Sequence, residues 1–296
     1  MKGGKGMDKA ARNSFIGASE DYEASRVVLF GAGADSTTSY RPGTRFGPAA
    51  IRAESYGIET YSPYLDRDLE DVSFFDSGDL EFPFGSPERQ LAMIEERTAQ
   101  ILADGKVPFM LGGEHLVTLG AVRAVAKVHP DLHIIHFDAH ADLREDYLGE
   151  RLSHASVLRR SHDILGDGRI HQFGIRSGTK DEFAFMKAGH VQTEPFSCRT
   201  LGSLELPKGT PVYLTIDMDV LDPSEFPGTG TPEAGGLRYD ELRRAVMDIL
   251  SRFRVVALDN VELSPPLDPT GRSTALACKL LREELLSITA KENHNG

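Results

Sequence analysis

The feature that most restricts how this chain can fold is a unit that keeps returning: a short apolar run, a turn, then a stretch with helical spacing. The runs at 26–30, 72–76, 107–111, 132–137, 170–175, 191–193, 211–216 and 254–258 are strand-sized, and most are nearly continuous in apolar residues. Helical spacing occupies about 86–103, 116–127, 153–161, 180–188, 239–253 and 274–286, and a further helix is expected to begin at Pro48, a favoured first-turn residue. A strand that is apolar on both faces needs cover on both, and helices inserted between successive strands supply it. The expected fold class is therefore α/β: a single three-layer α/β/α domain with a mainly parallel sheet.

The polar residues that interrupt this pattern fall at one kind of place. His115, Asp138, Asp217 and Glu262 each come just after the C-terminal end of an expected strand, the edge of a parallel sheet where ligands bind. They run from 115 to 262, so dividing the 296 residues into two domains would also divide this edge. One domain over 21–296 is expected, preceded by a polar, Gly-containing arm over 1–20. A net charge of −12 offers no basic face for phosphate, which argues against nucleic acid as a partner and suits a small cationic one. The N-terminus lacks an apolar leader core, no run is long enough to cross a bilayer, and Cys198 and Cys278 have no paired spacing. The expectation is a cytoplasmic protein without a membrane partner.

The densest chemistry is at 133–144, HIIHFDAHADLR. Asp138, His140 and Asp142 stand at every second position, so in an extended segment they share one face. A polar loop after a buried strand would also contain Asp and His, but three chelating groups in strict alternation favour a metal. The stretch 214–236, LTIDMDVLDPSEFPGTGTPEAGG, repeats the pattern with Asp217 and Asp219, while Asp222, before Pro223, reads as a turn residue. GGEH at 112–115 offers His115, although two glycines and an acid also suit a tight strand-to-helix turn, with Glu114 favoured there by the helix dipole. His133 and His136 read as ordinary histidines of the strand. Two imidazoles and four carboxylates form a mixed donor set that favours Mn²⁺ over Zn²⁺ or Mg²⁺, and a pair of ions would be bridged by Asp138 and Asp217.

Together GGEH, FDAHADLR, SHAS and TIDMDVLDPSEFPGTGTPEAGG resemble the ureohydrolase superfamily, which includes arginase, agmatinase, guanidinobutyrase and formimidoylglutamase. The resemblance extends from Tyr40 to the last helix and implies an arginase/deacetylase-like fold with two Mn²⁺ per chain. It places one ion on His115, Asp138, Asp142 and Asp217, and the other on Asp138, His140, Asp217 and Asp219. It further implies hydrolysis of a guanidino group by activated water, with Asp142 passing a proton to the leaving amine. His154 would be a proton shuttle at the mouth, and Glu262 the carboxylate that pairs with the guanidinium. Without the resemblance, His154 reads as a helix N-terminal residue behind Ser153, and Glu262 as a surface charge. A homo-oligomer, trimer or hexamer, is also implied.

Arginases follow their DAHAD-like motif with an Asn- and Thr-rich stretch; this chain has Leu143, Arg144, Glu145 and Asp146, with Arg144 where an arginase places asparagine. SYRPGTRFGP, SPYLDRDL and GTGTPEAGGL are most similar to the corresponding segments of bacterial agmatinases. The expected reaction is hydrolysis of agmatine to putrescine and urea. Aminopropylagmatine, guanidinobutyrate and arginine are the alternative substrates, with Arg144 or Arg176 meeting a carboxylate in the case of guanidinobutyrate. A same-fold deacetylase and an inactive metal-binding scaffold are the less favoured readings.

Overall fold

The computed structural model describes residues 14–290. The chain runs β1 (Val27–Ala32), α1 (Gly47–Glu54), a short antiparallel pair of β2 (Tyr61–Ser62) and β3 (Arg67–Asp68), β4 (Phe74–Asp79), α2 (Pro87–Ala103), β5 (Val107–Gly112), α3 (Val117–Val128) and β6 (His133–Phe137). It continues through α4 (Val157–Leu165), β7 (Ile170–Ile175), α5 (Lys180–Lys187), β8 (Gln192–Pro195), β9 (Pro211–Asp217), α6 (Tyr239–Arg252), β10 (Arg254–Val261) and α7 (Arg272–Thr289). The main sheet is ordered β4-β1-β5-β10-β9-β6-β7-β8, and its strands pair in parallel throughout.

Alternation along each strand sorts its side chains between two cores. In β1, Val27 and Leu29 enter one core, while Val28, Phe30 and Ala32 enter the other. The first is closed by α1, α6 and α7, through residues such as Ile51, Leu242 and Leu281; the second by α2, α3 and α4, through Leu91, Val122 and Leu158. Burial of each Val, Leu, Ile or Phe contributes about 1.5–3 kcal/mol, which makes the two apolar layers the main stabilising term. The result is the three-layer α/β/α arrangement.

Two strands run beyond their apolar residues because the acids in them are partnered. In β4, Asp76 accepts from buried Arg52 of α1 at 2.8 and 2.9 Å, and Asp79 pairs with the same guanidinium. In β10, Asp259 accepts from Thr118 Oγ1 at 2.8 Å and Tyr213 OH at 2.5 Å, and Asn260 donates to Glu284 at 2.7 Å. Of the arm expected over 1–20, residues 1–13 lie outside the described residues. From Ser14 the chain packs beside β4, with Phe15 buried edge-on against Phe74 and its N–H bonded to Asp76 at 2.8 Å.

Sheet order also makes the site. The chain leaves β5, crosses α3 and re-enters at β6, three positions away, and later fills the two-strand gap with β9 and β10. Loops from the C-terminal ends of β5, β10, β9 and β6 therefore surround one crevice, the position at which open parallel sheets bind ligands. Among the described residues no helix is long and apolar enough to cross a membrane.

Candidate active site

The GGEH segment turns sharply out of β5. A Cβ on Gly113 would lie 1.9 Å from the carbonyl oxygen of Ala34, so only glycine lets the two loops approach this closely. The turn is fixed to the end of β10 by reciprocal bonds: Glu262 N–H donates to Gly113 O at 2.8 Å, and His115 N–H donates to Glu262 Oε1 at 2.8 Å. His115 is thereby buried with its Nδ1 directed into the crevice floor. Among the described residues that atom has no hydrogen-bond partner, yet Asp138 Oδ2 and Asp142 Oδ2 each lie 3.1 Å away and Asp217 Oδ2 3.4 Å away.

The DAHAD segment converges by a route that strand alternation alone does not describe. β6 ends at Phe137, and residues 138–142 form a loop in which Asp142 has a φ of 52°. Asp tolerates the left-handed region better than most residues, and the turn swings Asp142 toward His115. His140 goes the other way: its Nδ1 is 3.1 Å from Asp219 Oδ2 and 3.4 Å from Asp138 Oδ1. Asp138 thus faces His115 with one oxygen and His140 with the other. Asp219, on the 3₁₀ turn after β9, is aimed by Ala139 N–H at 3.1 Å, and Asp217 Oδ1 accepts from Asp219 N–H at 2.8 Å.

These are two donor groups sharing Asp138. Ligand atoms on adjacent vertices of an octahedron with bonds of about 2.1 Å are about 3 Å apart, the spacing found around His115 Nδ1 and His140 Nδ1. The electrostatics also call for cations. Burial, reinforced by Asp219 and Asp138, pushes Asp217 well above the carboxylate range; burial and Asp138 lift Asp142 to about 7. Asp138 goes the opposite way: burial opposes its charge, but His115, His136 and His140 hold it well below the usual range. Burial would depress His115 and His140, yet their carboxylate neighbours keep both well above the ordinary imidazole value. Acids this close and this buried share protons unless positive ions take their place. The residues therefore fit a pair of divalent cations.

A second set of side chains orients the first. His136 receives a bond from Gln172 Nε2 on its Nδ1 at 3.1 Å, so its Nε2 carries the proton and donates to Asp138 Oδ2 at 2.9 Å. The sequence presents His136 as an ordinary histidine of the strand, and its i, i+2 register with Asp138 is the one signal of this contact. Thr215 Oγ1 lies 3.1 Å from His115 Nε2. Outside the crevice, His162 and His190 share Asp167 Oδ1 at 2.7 and 2.8 Å, another group in which metal-capable atoms come together.

His140, Asp142, Asp217 and Asp219 line the floor of a cavity of about 430 Å³, with Tyr40, Arg144, Tyr147, His154, Glu233 and Glu262 around it. His154 opens the 3₁₀ turn before α4, behind a Ser153–Ser156 capping box, and Glu262 is buried with a φ of 66°. All eight residues singled out from the sequence thus lie in or around one crevice. Arg176 does not read its contents: its guanidinium is consumed by the carbonyls of Gly174, Asp219, Val220, Leu221 and Glu233.

A model of the Arginase family matches residues 25–287. The chain is 48% identical to a Bacillus subtilis protein named agmatinase over 93% of its own length and 96% of the relative's, and 49% identical to a Bacillus anthracis agmatinase over 92% and 95%. The crystal structure of agmatine ureohydrolase from Thermoplasma volcanium superposes with a TM-score of 0.86 at 35% identity, covering 93% of this chain and 94% of that one.

Proposed function

The chain belongs to the arginase family, and on that premise we propose that it is an agmatinase, hydrolysing agmatine to putrescine and urea. The observation that carries this reading is the pair of donor groups sharing Asp138 on the floor of a cavity whose wall holds a buried carboxylate, Glu262. In this reading His115, Asp138, Asp142 and Asp217 would hold one Mn²⁺, and Asp138, His140, Asp217 and Asp219 a second. When bound, such ions supply Lewis acidity and make water a competent nucleophile near neutral pH.

The chain's own groups orient the substrate and move protons. Glu262 has one oxygen held by His115 N–H, which leaves Oε2 for the guanidinium of the substrate. Asp142 lies beside His115 with its left-handed backbone presenting the carboxylate to the cavity, where it accepts a proton and returns it to the leaving amine. His154, farther up the wall, exchanges that proton with solvent. Putrescine is a diamine, so the substrate's far end is an ammonium. Glu182 and Glu233 on the cavity wall, with the chain's net charge of −12, favour such a cation. Arg144, which lines the same cavity and lies over Tyr147 at 4.8 Å, supports guanidinobutyrate as the second reading. A cytoplasmic trimer or hexamer completes the proposal.

The test is urea release by the Mn²⁺-loaded enzyme over agmatine, guanidinobutyrate, aminopropylagmatine and arginine. Agmatine should give the highest kcat/KM. Equal or better turnover of guanidinobutyrate would overturn the substrate assignment while leaving the class intact.

A further inference from the structure

Glu114 lies between the glycine turn and His115, and it is not the helix-start acid its position in the sequence allows: α3 begins only at Val117 and has no acid in its first turn. Its side chain is buried and spent on another loop. Glu114 Oε1 accepts from Thr37 N–H at 2.9 Å, and Oε2 accepts from Thr37 Oγ1 at 2.7 Å and from Thr38 Oγ1 at 3.4 Å. The backbone closes the same clasp, with Glu114 N–H donating to Ala34 O at 2.7 Å.

Thr37, held in this way, holds His154. Its Oγ1 accepts from His154 N–H at 3.2 Å, and its carbonyl oxygen lies 2.9 Å from His154 Nδ1. A carbonyl can only accept, so Nδ1 carries the ring proton and Nε2 keeps the free lone pair. A proton carrier on the cavity wall needs that tautomer, with its basic nitrogen away from the backbone. A buried carboxyl group whose acceptors were unused would be costly, so the Thr37 and Thr38 donors hold it in place.

We propose that Glu114 is a positioning residue for the hydrolysis: through Thr37 it fixes the placement and tautomer of His154. The inference rests on the reading of His154 as a proton carrier. A double-mutant cycle on the Mn²⁺-loaded enzyme, with kcat, KM and bound Mn²⁺ per chain measured for each variant, separates the two. His154→Ala should lower kcat by about 100-fold or more, as loss of general acid–base help does. Glu114→Ala should lower kcat by about 10- to 100-fold with KM and bound Mn²⁺ little changed, as misplacement of a catalytic group does. The double variant should be no slower than His154→Ala, and Glu114→Asp, which keeps both acceptors, should recover part of the loss.

Unchanged kcat in Glu114→Ala, effects that multiply in the double variant, or a loss explained by missing Mn²⁺ would each overturn the inference. Full activity in His154→Ala would overturn the reading beneath it. Should Glu114→Ala fail to fold, Thr37→Val removes the hydroxyl that joins Glu114 to His154. With the Thr37 N–H and carbonyl bonds retained, it should lower kcat part of the way toward Glu114→Ala and add no loss in the His154→Ala background; an unchanged kcat, or a further loss in that background, refutes the clasp.

Discussion

Glu284, midway along α7, places a carboxylate under β10 with one acceptor used and one stranded. Oε2 accepts from Asn260 Nδ2 at 2.7 Å, while Oε1 is buried without a partner among the described residues, as are Asn260 Oδ1 and Asp259 Oδ1. Burial, opposed by the Asn260 bond and reinforced by Asp259, raises the group from 4.5 to about 8. The sign follows: the folded chain keeps a proton that the unfolded chain releases above 4.5. The associated stability is therefore complete below 4.5, declines as pH rises, and levels off above about 8. At about 1.4 kcal/mol per pH step, the folded state at pH 7 has lost about 3 kcal/mol. Glutamine mimics the protonated form, keeps an acceptor for Asn260 and brings an N–H₂ to the stranded oxygens. Glu284→Gln should thus gain about 3 kcal/mol at pH 7 and under about 1 kcal/mol at pH 5. For a chain of this size that is roughly 6 °C in Tm at the higher pH. Thermal unfolding followed by circular dichroism, with wild type and variant at matched protein and Mn²⁺ concentrations, reads the difference; subtraction removes the metal's own pH dependence. A variant no more stable than wild type at pH 7, or a gain equal at both pH values, would refute the reasoning.

Three other outcomes are expected. Asp142→Asn should leave a folded protein whose kcat for urea release falls by about 100-fold or more, and retained activity would remove Asp142 from proton transfer. His136→Phe, which takes the Nε2–H donor from Asp138 without reaching the cavity wall, should weaken Mn²⁺ binding by about 10- to 100-fold in a metal titration. Chelation should expose the mutual repulsion of the buried acids and lower Tm. At a thousand-fold excess of metal over its Kd the lost stabilisation is about 4 kcal/mol, and a Tm indifferent to chelator would contradict the donor geometry.

The fold was legible because its strands are buried on both faces and so read as continuous apolar runs, a signal that does not depend on distant residues. Strand ends were less legible for a physical reason. Asp79 closes β4, and Asp259 and Asn260 lie inside β10, because Arg52, Tyr213, Thr118 and Glu284 partner them, and these partners are separated from them by 24 residues or more. The β2–β3 pair is too short to carry any periodicity.

The site divides along the same line. Ligand candidates were visible because a metal needs several donors of restricted type, and DAHAD and DMD concentrate them within a few positions. The groups that aim those donors use one bond each and come from anywhere in the chain: Gln172 reaches His136, Thr215 reaches His115, and Thr37 reaches His154 across 117 positions. Backbone conformation was equally hidden. Asp142 and Glu262 both adopt positive φ, as do Asp66, Leu148 and Phe196 elsewhere, and these two belong to the crevice wall. In Glu262 the strained residue bonds the backbone of His115, so the end of β10 is coupled to the end of β5 at the point where a substrate carboxylate partner and a metal ligand must be held at a set separation. Relaxing either end would move one member of that pair without the other, so the turn at Glu262 is held by the bond it makes as well as by its own backbone.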